Sequence, residues 1–424
     1  MESGRVQQPK VGKALEKAKH GVPQSSLANK LLSLWAKGSL SAALVRELAD
    51  CAIQDGACSE DLVALAQTGN WGEQPGNCHK QILHHFCANV QIAESFEVEV
   101  PCIHPKTSQE VLEKASIFLP HMMFSKLGGN YPELFHTLFN LGKGKLHDFW
   151  NGVKKTGDDK LKNHPMTLEK GWEEKNIPLF IHGDGVEYTA HNDNLLVFSW
   201  GCLLGNLPTL QNHWLLATFP KSCTSSSTWD PIWKCLKWSL TALAAGTHPT
   251  TDPDGKPLEK GSTFFKFKGK PLHPNHYKAT LWSIIGGHEF FSNTLKLPHW
   301  SSHFPCWECD TENFPGAAFG KGYKEICLEK QEFQVYSHEE CLADPWSDHP
   351  LFQLPWVSSK NVRGDPLHIL FCKGLYSHVI GGILHYICYY EGPKKNKPKS
   401  LQIGLGFSSP KCSFSMQSRS AKTA

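Results

Sequence analysis

Long hydrophobic runs are missing from this sequence. No apolar stretch in its 424 residues approaches the roughly 18 that a membrane-spanning helix needs. The N-terminal MESGRVQQPKVGK lacks the apolar region of a signal peptide. No membrane partner is expected, and the protein is expected inside the cell, nuclear or cytoplasmic. Net charge is also scarce: 43 Lys and Arg stand against 40 Asp and Glu, for +3. That charge is unevenly placed. From Gly392 onward there are seven basic residues and no acidic one, so residues 1–391 carry −4 (+3 less +7). An acidic body excludes a broad, nonspecific phosphate-binding surface and leaves room only for a small basic patch. No segment repeats at a fixed period, which excludes solenoids and propellers. The 15 cysteines are odd in number and scattered, so a disulfide framework is not expected. Most should be buried thiols acting as small hydrophobes.

What is present is ordinary globular composition: 40% hydrophobic, 20% charged and 11% aromatic residues. The length suggests about two or three domains. Residues 1–25, basic with Gly, Pro, Gln and Ser, read as a flexible arm. Residues 26–175 read as an all-helical N-terminal region. LANKLLSLWAKG, SLSAALVRELADCAIQDG and SEDLVALAQTG carry apolar residues at three-to-four spacing, with Ser41 and Ser59 as caps. SQEVLEKASIFLPHMMFSKL and YPELFHTLFNLGKGKLHDFW read likewise, and only FEVEVPCI alternates like a strand. Near Ile177 the texture changes. PLFIHGDGVEYT, NLLVFSWGCLL and NHWLLATF form the pattern of a three-stranded meander. TWDPIWKCLKWSLTALAAG is an amphipathic helix ending at Gly246. Asp254-Gly255 marks a turn, FFKFKG suggests a short strand, KATLWSIIGG a buried strand, and HEFFSNTLKL leads into a helix. DPLHILFCKGLYSHVIGGILHYICYY predicts a long helix or a pair broken at Gly381-Gly382. This domain, residues 176–391, thus has the order βββαβα, and residues 392–424 form a basic tail expected to be disordered.

Two motifs could carry chemistry. In His182-Gly183-Asp184-Gly185 the flanking glycines allow a tight turn and leave the Asp184 carboxylate open to Mg²⁺, a cation that prefers oxygen ligands. The alternative is a turn aspartate bonding its own backbone. Cys306-Trp307-Glu308-Cys309 has the spacing of half a zinc site. Asp365 and His368, at i and i+3, could complete it, with Cys372, His378 and His303 as substitutes. Trp214, Trp229, Trp233, Trp238, Trp282, Trp300 and Trp307 are expected mainly in the core rather than stacked on bases. Of the 23 histidines, His182 beside Asp184 stands out.

Taken together, the HGDG strand, LWSIIGGHEFFSNTLKLPHWSSHFPCWEC and GDPLHILFCKGLYSHV resemble the DDE transposase domain of CACTA (En/Spm)-type cut-and-paste elements, over about residues 177–390. The resemblance implies an RNase H-like fold, a CxxC zinc insertion, DNA as partner, homo-oligomers, and Mg²⁺-dependent strand cleavage and transfer by three carboxylates. Asp184 matches the first of these. Cys306, Cys309, Asp365 and His368 match the family's C-x-x-C and D-x-x-H elements. The second carboxylate belongs just after LWSII, where this chain has Gly286-Gly287-His288-Glu289. Either Gly287 has replaced an aspartate, or Glu289 has taken the role two residues later. The third carboxylate has no match, because the chain passes Glu391 into the basic tail. Two-ion catalysis needs more ligands than these, so the resemblance implies a truncated, degenerate and inactive transposase. A zinc-stabilised DNA- or protein-binding module and an active nuclease using Asp184 and Glu289 are the alternatives.

Overall fold

Serine caps open the first helices. Ser41 Oγ accepts the Leu44 N–H at 3.2 Å and Ser59 Oγ that of Leu62 at 3.3 Å, filling backbone donors that a helix start leaves unpaired. The computed structural model describes residues 25–36, 38–86, 94–188, 193–313, 322, 332–370 and 375–386. The basic tail, Glu391 and Cys372 lie outside them, as does the expected arm apart from Ser25. The chain divides into two units, Met1–Arg363 and Gly364–Ala424.

The first unit begins with α1 (Ser26–Ala36), α2 (Ala42–Gln54), α3 (Glu60–Trp71) and α4 (Cys78–Phe86). Their apolar faces enclose a core of their own, with Ala28, Leu31, Val45, Ala49, Leu62, Leu65 and Ile82 buried. A hairpin follows, β1 (Phe96–Ile103) and β2 (Glu110–Ile117), paired antiparallel from Phe96↔Ile117 to Ile103↔Glu110. Then come α5 (Pro120–Asn130), α6 (Pro132–Leu138) and α7 (Lys145–Thr156). The all-helical expectation for residues 26–175 is therefore corrected. EVLEKASI, read as helical, is a strand because pairing with β1 outweighs its helix-favouring Leu, Glu and Lys. Val100, Cys102, Ile117, Phe124 and Phe135 share one core with the sheet that follows.

That sheet is mixed, with strand order β5-β4-β3-β6-β7. It is built from β3 (Asn176–Glu187), β4 (Asn194–Cys202), β5 (Trp214–Pro220), β6 (Lys278–Gly286) and β7 (Val362–Gly364), with a short α8 (Thr209–Asn212) before β5. The expected meander is present: β3 pairs antiparallel with β4, and β4 with β5. β6 then pairs parallel with β3. The crossover between β5 and β6 contains α9 (Trp229–Ala245), which ends at Gly246 in the left-handed region, φ 73°. α9 buries Trp229, Ile232, Trp233, Leu236, Leu240 and Leu243 on the face of β3 that carries Ile177, Leu179 and Ile181. FFKFKG is not a strand. Ser262 caps a short α10 (Thr263–Phe267) instead. Beyond β6 lie α11 (His288–Asn293) and α12 (His338–Ala343).

Trp214, Trp229, Trp233 and Trp282 are buried, as expected of core residues, while Trp300 is 62% exposed. Six of the ten described cysteines are buried, and burial pushes the Cys202 and Cys235 thiols up to about 12. In the second unit, α13 (Pro366–Leu370) is followed by α14 (Leu375–Tyr386). α14 runs through Gly381 and Gly382, so these glycines do not break it. No helix among the described residues is long and apolar enough to cross a membrane.

Candidate functional site

The HGDG segment lies inside β3, not at a turn. Pairing with β4 continues through Asp184↔Val197 to Glu187↔Asn194. Its glycines therefore have another use. A Cβ on Gly183 would lie 2.6 Å from the Phe290 ring, and one on Gly286 would meet the same ring and, at 2.8 Å, the Gly183 carbonyl oxygen. Gly183 and Gly286 are paired across β3 and β6, and their bare backbones let α11 seat Phe290 on the sheet. Phe290 in turn packs against Phe198 of β4 and Trp233 of α9.

Strand alternation turns Asp184 to the opposite face. There it is half-buried, and its Oδ1 accepts the Gly185 N–H at 2.8 Å, the own-backbone bond of the alternative reading. Gly183↔Gly286 is the last pair of the β3–β6 ladder, and the next residue of that chain, Gly287, precedes α11 in extended conformation at φ −81°, ψ 162°. Glu289 is exposed in the first turn of α11 and forms an ion pair with Lys221, just after β5. A carboxylate held by an ammonium group on the surface is a weak ion pair, not a prepared metal ligand.

Across from Asp184 on its face is Val197, and two imidazoles lie farther along the same face. His182 stands two residues away, across from Ser199. Ser199 Oγ lies 3.1 Å from His213 Nδ1, and the His182 and His213 rings meet edge-on with centroids 5.3 Å apart. His182 was visible in the sequence. His213 and Ser199 carried no signal there, because only the β3–β4–β5 register brings them to that face.

The Cys-x-x-Cys loop is better formed. Cys306 Sγ accepts the Glu308 N–H at 3.4 Å, and Cys309 Sγ accepts that of Thr311. Burial first, then the hydrogen bond with Cys306, pushes the Cys309 thiol up to about 12. Asp365 and His368, in the second unit, are bonded to each other, Oδ2 to Nδ1 at 2.8 Å. That bond orients an imidazole as a carboxylate does behind a metal-bound histidine. Among the described residues no group of three or more His, Cys, Asp or Glu side chains is placed to hold a metal ion. The described donors therefore do not fit a two-ion Mg²⁺ centre.

Comparison of the chain with protein-family models, with curated proteins and with solved structures returns no match.

Proposed function

We propose that this chain is a transposon-derived protein whose RNase H-like domain keeps its fold and has lost metal-dependent DNA strand cleavage and transfer. The observation that carries the proposal is the sheet. Three antiparallel strands, then a helix, then a strand returning parallel beside the first is the RNase H-like succession, and the order β5-β4-β3-β6-β7 matches it. In this reading Asp184 corresponds to the first carboxylate, and Gly287, following LWSII, stands in the sequence where the second is expected. Two ions that clamp the attacking and leaving oxygens need carboxylates from both strands. Lys221 holds Glu289 in an ion pair instead, which disfavours the active-nuclease alternative.

A nicking assay on duplex DNA with Mg²⁺ or Mn²⁺ tests this. Wild type and Asp184→Ala should leave the substrate equally intact. Metal-dependent nicking that disappears in Asp184→Ala would overturn the loss of catalysis. Zinc at Cys306 and Cys309 belongs to the same proposal, with metal analysis of the purified chain as its test. One zinc per chain, lost in Cys306→Ser, is the expected result. A folded, metal-free wild-type chain would remove zinc from the proposal.

A further inference from the structure

Between α9 and β6 the chain makes an excursion that the sheet does not require. Its base is closed by the Thr247↔Pro271 bridge and by the His248 N–H donating to the Lys270 carbonyl at 2.8 Å. At its far end Asp252 Oδ1 accepts the N–H groups of Asp254 and Lys256, at 2.9 and 2.8 Å. Ser262 then caps α10. The excursion is thus held by its own hydrogen bonds, with little conformational freedom left to lose on binding.

Its charge is opposite to that of the body around it. Residues 256–270 hold five lysines and one glutamate, +4, within a 1–391 segment that totals −4. Lys256 faces Asp254, which also pairs with Lys234. Lys260, Lys266, Lys268 and Lys270 are exposed and form no ion pair with any described residue. Two of them lie over aromatic rings, Lys268 Nζ 6.0 Å from the Phe265 centroid and Lys270 Nζ 5.9 Å from that of Phe267.

The apolar residues between these lysines turn inward. Phe264 packs edge-on against Phe96, centroids 5.6 Å apart, and Phe267 stacks on His248 at 5.1 Å. Only Phe265 is outward, at 36% exposure. An anionic membrane would need an apolar face to bury, and single-stranded nucleic acid would need aromatic platforms for its bases. This surface offers ammonium groups and a single outward ring, Phe265, too little for either. We propose that residues 256–270 form a phosphate-contacting surface that binds the backbone of duplex DNA without regard to sequence. The proposal rests on charge and geometry, and it stands whether or not the transposon-derived reading does.

The test is titration of the full chain into a labelled duplex oligonucleotide of random sequence over a salt series. Replacing Lys260, Lys266, Lys268 and Lys270 by Gln should weaken binding at least about tenfold at low salt. It should also flatten the slope of log affinity against log salt by about 3 to 4, the release expected for four phosphate contacts. The four Lys→Arg replacements should bind like wild type, which separates lost charge from lost folding. A parallel variant with Gln at Lys394, Lys395, Lys397 and Lys399 removes four charges from the tail. The proposal is overturned if the 260–270 variant keeps wild-type affinity and slope, or if the tail variant alone abolishes binding. It is also overturned if the 260–270 variant loses binding to phosphatidylserine vesicles and not to DNA.

Discussion

Lowering the pH from 7 to 5 is expected to unfold the first unit, because its cores hold histidines that are neutral when folded. His121, His164, His248, His273 and His349 are all at most 4% exposed. Burial lowers His121 and His349 to about 3, and His164, His248 and His273 to about 4. Each ring already has a use in the fold. His121 Nδ1 meets Ser239 Oγ at 2.8 Å, and His164 and His349 each accept an N–H two residues on. Nε2 of His121, His273 and His349 has no hydrogen-bond partner among the described residues, so a proton there would be a buried charge without an acceptor. Above pH 6.5 both states are neutral at these rings and stability is full. Below it the unfolded chain takes up protons that the folded chain refuses, and stability falls until the pH reaches the folded values near 4 and 3. For His121 and His349 that is about 2 kcal/mol each at pH 5. The other three rings, with folded values near 4, lose nearly as much each at that pH, against a total stability of about 5–15 kcal/mol. Melting temperature measured from pH 7.5 to 4.5 should drop steeply below about 6.5. His349→Asn, which keeps a capping oxygen for the Leu351 N–H, should melt lower at neutral pH and show a shallower slope. A melting temperature flat down to pH 5 would refute the buried-histidine account.

Replacing Gly201 by Ala should destabilise the protein by about 3 kcal/mol, at the upper end of overpacking. A Cβ there would overlap the Asn212 carbonyl oxygen and stand 2.6 Å from Phe180 Cζ. The carbonyl belongs to backbone and cannot swing aside as a side-chain tip could. Nor can Asn212 retreat easily, since its side-chain amide bonds the Cys202 carbonyl at 3.2 Å. With an unfolding entropy of about 0.76 kcal/mol/K for the unit Met1–Arg363, the melting temperature should fall by roughly 4 °C. Gly185→Ala is the internal contrast. Its Cβ would meet only Leu196 Cδ2, at 3.8 Å, in a strand that any residue can adopt. That substitution should leave stability unchanged or raise it by up to about 1 kcal/mol through the unfolded chain. Equal losses at positions 185 and 201 would mean that the contacts described for Gly201 are not what require a glycine.

The parts of the fold legible in the sequence are those whose signal is local. The meander from Ile177 to Phe219, the amphipathic α9 and its stop at Gly246, and the buried β6 all announce themselves by apolar period and punctuation within a few residues. The misread segments are those whose partner is distant. Glu110–Ile117 has a helix-favouring composition, and only the eight pairs with β1 and the Phe118 N–H donated to Leu216 at 2.8 Å make it a strand joined to the edge of β5. FFKFKG alternates like a strand, yet Phe264 and Phe267 both turn inward because Ser262 starts a helical turn there.

The same division holds at the candidate site. The sequence by itself determined which residues could carry chemistry: Asp184 between glycines, Glu289 after LWSII, and the Cys306–Cys309 pair. It also determined that positive charge is concentrated at 256–270 and beyond Gly392. Tertiary structure alone decided what those residues meet. Strand register carried the β3–β6 pairing to Gly183↔Gly286, and brought His182, Ser199 and His213 to one face. Close packing of Phe290 explained the bare backbone at Gly183 and Gly286, and Lys221, 68 residues away, claimed Glu289. Residue type and spacing are written along the chain, whereas register and close contact arise between segments far apart in it.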